Sequence, residues 1–167
     1  MADVKLAWSS WTTLTITNLN SRGTSATTAW QSAVIDNSST KYLNIQVVAT
    51  FAAVNTAPAN SKAWFFWVAN LADTSGSEYD STGSDVPGGA EGTITIPDFT
   101  SLALPLYHLG RIAYPVQNKV LTKTFTLYEN IGFVPEKFSL IVANHTGYTA
   151  AASGNSVKWR GQYETIA

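Results

Sequence analysis

Two histidines, His108 and His145, carry the only imidazoles of this chain, and cysteine is absent. No thiol nucleophile and no cysteine-based zinc site can therefore form. The histidines lie in separate segments, in neither an HxH nor an HxxxH spacing, so a histidine metal site has little support. A hydrogen-bonded histidine at a strand end is the expected role of each. No Gly-x-Ser-x-Gly elbow, P-loop or dinucleotide fingerprint occurs. A Ser-His-Asp triad assembled from distant residues stays open, because such triads are defined by geometry and not by sequence order. Glycoside hydrolysis needs two facing carboxylates. The acids are few, and Asp73, Glu78, Asp80, Asp85 and Glu91 share one Gly/Ser-rich stretch. Oxygen ligands from such a loop could hold calcium, but the spacing departs from the EF-hand pattern, so a solvated acidic loop is expected. The expectation is a protein that is not an enzyme and has no cofactor or metal.

Contact chemistry has a stronger signal. Six tryptophans occur in 167 residues. Trp8 and Trp11 stand near the start, and Trp30, Trp64, Trp67 and Trp159 fall in strand-like segments. Either all six pack a core, or one or two form a contact platform, since exposed tryptophan is enriched in interfaces. Trp64 and Trp67 are three apart and face opposite ways on a regular strand, so one can point outward. Residues 1–11 form a candidate N-terminal arm carrying Leu6, Trp8 and Trp11, to be tied down on its own domain or on a neighbouring subunit. The candidate partner contacts are Leu6, Trp8, Trp11, Trp64 and Trp67.

Elements able to position these residues are strands. Thr13, Thr15 and Thr17 alternate with Leu14 and Ile16, the period-two pattern of a sheet with one polar and one apolar face. Residues Ala29 to Ile35 form a short run. Leu43, Ile45, Val47 and Phe51 alternate with Asn44, Gln46 and Thr50. Ala63 to Ala69 is apolar on both faces, as in a strand covered on both sides or exposing one to a partner. Shorter runs span Gly92–Ile96, Leu102–Tyr107 and Ile112–Tyr114. Leu121, Phe125 and Leu127 oppose Thr122, Thr124 and Thr126. Phe138, Leu140 and Val142 alternate with Ser139, Ile141 and Ala143. Val157, Trp159 and Tyr163 oppose Ser156, Lys158, Arg160 and Gln162. Turn signals at Asn37-Ser38-Ser39, Pro58-Ala59-Asn60, Pro87-Gly88-Gly89 and Ser153-Gly154-Asn155 separate these runs. The best helical candidate is a turn or two within Ser21–Thr28. The pattern predicts an all-β, antiparallel β-sandwich of jelly-roll type with about eight to ten short strands, forming one domain over residues 12–167.

Composition narrows the partners. Charged residues make up 13% of the chain, about half the usual share. The net charge is -1, and lysine and arginine are scattered, without the basic stripe a nucleic-acid binder needs. No apolar run reaches the ~18 residues of a membrane span, and Met1 to Trp8 holds no signal-peptide core. Neither nucleic acid nor membrane is expected as a partner, and synthesis in a cytoplasm is the default. The patterns Asn37-Ser38-Ser39 and Asn144-His145-Thr146 match glycosylation acceptors by chance.

The segment Trp8-Ser9-Ser10-Trp11-Thr12-Thr13-Leu14-Thr15-Ile16-Thr17-Asn18-Leu19-Asn20, continued by Thr28 to Ser32 and Val34 to Ser38, resembles a group of small tailed-phage virion proteins. Phe138 to Gly147 and Gly154 to Tyr163 are similar to that group as well, while the middle diverges. The resemblance implies a jelly-roll cement or decoration protein on the head surface of the virion. Its partner would be the major capsid protein, and homo-oligomers or symmetric copies would stabilise the shell without chemistry. The alternative is a carbohydrate-binding jelly-roll module of a phage fibre or tail that contacts the host surface. A flat apolar patch near the N-terminal arm favours a protein partner. A groove lined by Trp or Tyr with Asn and Asp favours sugar.

Overall fold

The computed structural model describes residues 3–16, 19–25, 27–52, 63–70, 91–95, 106–113 and 118–166. These form eleven strands and one short helix. The strands are β1 (Val4–Trp8), β2 (Thr12–Thr13), β3 (Thr28–Gln31), β4 (Ile35–Asp36), β5 (Asn44–Ala52) and β6 (Ala63–Asn70). They continue with β7 (Gly92–Thr95), β8 (Leu106–Ala113), β9 (Val120–Thr126), β10 (Lys137–Asn144) and β11 (Ser156–Ile166). One sheet runs β1–β11–β5–β9, with β2 also on β11; the other runs β7–β3–β10–β6–β8, with β4 also on β10. Every pairing is antiparallel.

Eight of these strands carry the topology. Counted in chain order, β2, β3, β5, β6, β8, β9, β10 and β11 are arranged first–eighth–third–sixth in one sheet and second–seventh–fourth–fifth in the other. All connections but the one from β6 to β8 cross between the sheets. That is the jelly roll, in which two interlocked Greek keys leave few free edges.

The core follows from alternation. Ile45, Val47, Ala49 and Phe51 of β5 and Trp64, Phe66 and Val68 of β6 meet Phe138, Leu140, Val142 and Val157 between the sheets. Strand β6 is buried on both faces: Trp67 and Ala69 join Ala29, Ile94, Ile141 and Ala143 in a second apolar cluster. Leu43, grouped by alternation with the inward residues of β5, is instead exposed, because it precedes the strand.

Several segments depart from a regular ladder. The expected Ala29–Ile35 run divides into β3 and β4, and between them the Ser32 hydroxyl accepts from Leu140 N at 2.9 Å. The runs around 106 and 112 are one strand, β8, whose register against β6 slips between Phe66 and Trp67. Gly110 sits there with φ 150°, and a Cβ on it would lie 2.5 Å from the Phe125 ring. Glycine alone fits that backbone and that space. The Ser21–Thr28 stretch holds a turn and no helix among its described residues. The helix is α1 (Leu127–Ile131), which buries Leu127 and ends on Gly132 at φ 84°. Five residues are too few to display helical periodicity. Thr17, Ile96, 102–105, Tyr114 and the turns around Pro58 and Pro87 lie outside the described residues.

Candidate functional site

On both sides of the expected boundary at residue 11 the described chain is tied down along the edge of one sheet. β1 pairs along Gln162–Ile166 of β11, and β2 pairs along Lys158–Trp159. Between them Ser9 N donates to Gly161 O at 2.8 Å, and Gly161 N donates back to the Ser9 hydroxyl at 3.0 Å. Of the two placements open to this segment, the domain's own sheet is the one observed.

The join between β1 and β2 builds the site. Trp8 opposes Gln162 and Thr12 opposes Trp159, so four steps on one strand match three on the other. That is a β-bulge, and the extra residue shifts the alternation. Trp8 and Trp11, three apart, would face opposite ways on a regular strand. With the bulge, both indoles reach the same cation. Arg160 Cζ lies 4.7 Å from the Trp8 ring centroid and 4.4 Å from that of Trp11. Such contacts each contribute roughly 0.5–1 kcal/mol at an exposed site.

Gln46, directly across from Arg160 on β5, fixes the guanidinium. Arg160 Nε donates to Gln46 Oε1 at 3.0 Å and Nη2 donates to the same oxygen at 2.7 Å. The stack stands on the outer face of its sheet, since Val157 and Trp159 alternate toward the core while Lys158, Arg160 and Gln162 alternate away. On the same face, β1 presents Val4 and Leu6, and Val4 pairs with Ile166. These three are 63%, 59% and 77% exposed, and Trp11 is 41% exposed. Val4, Leu6 and Ile166 thus leave apolar surface open on this face, beside Trp11.

Beneath the stack, on the inner side of the same strands, Tyr42 packs edge-on to Trp159 at 5.9 Å and against Tyr163 at 6.4 Å. Gly161 makes that possible: a Cβ there would sit within about 2.1 Å of the Tyr42 ring. The ring thus closes over bare backbone beneath the outer face.

The candidate contacts divide. Leu6, Trp8 and Trp11 share the outer face of β1–β2. Trp64 and Trp67 do not belong to it, which corrects the sequence-based set. Trp64 is 2% exposed and stacks on Phe51 at 4.2 Å, and Trp67 is 8% exposed on the opposite side of β6. The latter is covered within the chain and offers little surface to a partner.

The histidines, remote in sequence, both approach Phe65: His145 at 5.3 Å and His108 at 6.4 Å between ring centroids. Loss of water around its ring, then the positive charges of Arg111 and Lys123, hold the His108 pKa below the ordinary histidine value. Among the described residues no group of three or more His, Asp or Glu side chains could hold a metal ion. Asp73, Glu78, Asp80 and Asp85 lie outside the described residues. The asparagines of both glycosylation-like patterns are buried and structural. Asn37 Oδ1 accepts from Tyr42 N at 2.6 Å, and Asn144 ties two loops together. Comparison with family models, curated proteins and solved structures gave no match.

Sequence reasoning missed Arg160 and Gln46. Alternation marked both as outward, but only the β5–β11 register sets them side by side.

Proposed function

We propose that this chain is a structural virion protein that binds the outer surface of a tailed-phage head and cements neighbouring major capsid subunits. The observation that carries the reading is the open outer face around β1. Leu6, Val4 and Ile166 stand exposed there beside Trp8 and Trp11, on one sheet of the jelly roll. An exposed apolar strip ending in aromatic side chains suits a protein surface, where buried aromatics supply most of the binding energy. The resemblance of its segments to small tailed-phage virion proteins supplies the partner. Many copies on a symmetric shell would add weak contacts into firm attachment. The sugar-binding alternative loses support at the same place, because Arg160 already covers a face of each indole that a pyranose ring would need.

Co-sedimentation with purified heads lacking the protein tests this reading. Trp11→Ala and Leu6→Ser are each expected to weaken attachment by roughly tenfold or more, the cost of losing an aromatic or apolar anchor. Point substitutions are preferable to deleting residues 1–7, which would strip β11 of an edge partner and mix stability with docking. Undiminished binding by both variants contradicts the reading. Retention on a polysaccharide column with no binding to heads would favour the fibre or tail alternative.

A further inference from the structure

Building on the docking reading, we infer that Arg160, framed by Trp8 and Trp11, is a carboxylate-binding site that receives an aspartate or glutamate side chain of the docked protein.

The geometry defines what fits. A guanidinium offers two flat edges, each with a pair of parallel N–H donors. The edge formed by Nε and Nη2 is spent on Gln46 Oε1. The edge formed by Nη1 and the outer Nη2 hydrogen has no acceptor among the described residues. A planar group with two oxygens at carboxylate spacing satisfies that edge with two parallel charge-assisted bonds. Gln46 fixes the fork in advance, so little side-chain entropy remains to be lost on binding. The two indoles displace water beside the cation, and that strengthens a charged hydrogen bond relative to one in open solvent.

Charge on this face points the same way. The ion pair found among the described residues is Lys137 with Asp36, on the other sheet. Glu164 shares the outer face with Arg160 but lies four residues along the strand, about 13 Å at extended spacing. Lys158, exposed and two residues away, adds a second positive charge on that face. A cation that is oriented, walled by aromatics and left without its own carboxylate is complementary to an acidic side chain. An apolar contact alone would need neither Arg160 nor the Gln46 brace.

The test uses the full chain, labelled with 15N, and two probes, acetyl-Gly-Glu-Gly-amide and its glutamine counterpart. The glutamate peptide is expected to shift the indole N–H signals of Trp8 and Trp11 saturably, and the glutamine peptide to bind at least about tenfold more weakly. Arg160→Gln is expected to abolish the saturable shift. Arg160→Lys is expected to lose most of the preference, because an ammonium lacks the planar fork. An unchanged unfolding midpoint shows that each variant is folded. Equal response to the two peptides, no response to either, or a saturable response that survives in Arg160→Gln overturns the inference. Preference for inorganic phosphate over the glutamate peptide does so too. The docking reading fails separately: if Arg160→Gln sediments with heads as the unaltered chain does while Trp11→Ala does not, the carboxylate site falls and the docking face stands.

Discussion

Trp64→Ala is expected to destabilise the protein by about 3–5 kcal/mol, the range for removing a large buried aromatic. Trp64 is 2% exposed, stacks on Phe51 at 4.2 Å with 23° between the rings, and is hydrogen-bonded through its strand to both β8 and β10. Its loss opens a cavity between the two sheets, and the flanking ladders cannot close inward to fill it. For a chain of this size the cost corresponds to a fall in melting temperature of roughly 10 °C or more. Trp11→Ala removes one surface cation–π contact and is expected to cost no more than about 1 kcal/mol. Chemical denaturation of the two variants side by side checks the contrast. A Trp64→Ala midpoint equal to that of the unaltered chain would contradict the assignment of this residue to the core.

Asn144→Ala is expected to cost about 3 kcal/mol or more, because several groups lose partners at once. The Asn144 side chain is fully buried and uses its whole hydrogen-bonding capacity. Nδ2 donates to Arg22 O at 2.9 Å and to Tyr148 O at 2.8 Å. Oδ1 accepts from Thr146 N at 3.0 Å and from the Thr146 hydroxyl at 2.6 Å. The backbone carbonyl of the same residue accepts from Ser25 N and from the Thr24 hydroxyl, each at 3.0 Å. One residue thereby fastens the loop before β3 to the loop after β10. Asn144→Asp is expected to be no milder, since a carboxylate oxygen would face carbonyl oxygens where an amide now donates. Hydrogen exchange is expected to show faster exchange at Ser25 and Thr146 before any change at Phe66. Protection factors at Ser25 and Thr146 that match the unaltered chain would count against this role.

How far the sequence disclosed this molecule depended on the range of the interaction. Alternation along single strands was legible: Ile45, Val47 and Phe51 point inward, and β6 is apolar on both faces because both are buried. What alternation cannot register is an inserted residue. The bulge between β1 and β2 changes the face of every side chain before it, so Trp8 and Trp11 come together although their spacing sets them apart. The same spacing in Trp64 and Trp67 does place them on opposite sides, because the extra residue of the β6–β8 slip falls on β8 and leaves the alternation of β6 intact, but both sides are covered. Whether an outward residue is exposed depends on what packs over it, and that information lies elsewhere in the chain. Arg160 and Gln46 are 114 residues apart, and their hydrogen bonds follow from a strand register that no local pattern encodes. The short helix α1 escaped for a simpler reason: Leu127 and Ile131 are a single helical step, indistinguishable from the end of the β9 alternation.

The proposed function sets the outer face of the β1–β11–β5–β9 sheet against a phage head. Imaging of intact particles by cryo-electron microscopy, at a resolution that orients the sandwich, tests it most directly. The expected result is a copy number that rises with the number of major capsid subunits, with Leu6, Trp8, Trp11 and Arg160 turned toward the shell. A few copies confined to a tail or fibre, or a shell-bound sandwich with that face turned to solvent, would contradict it.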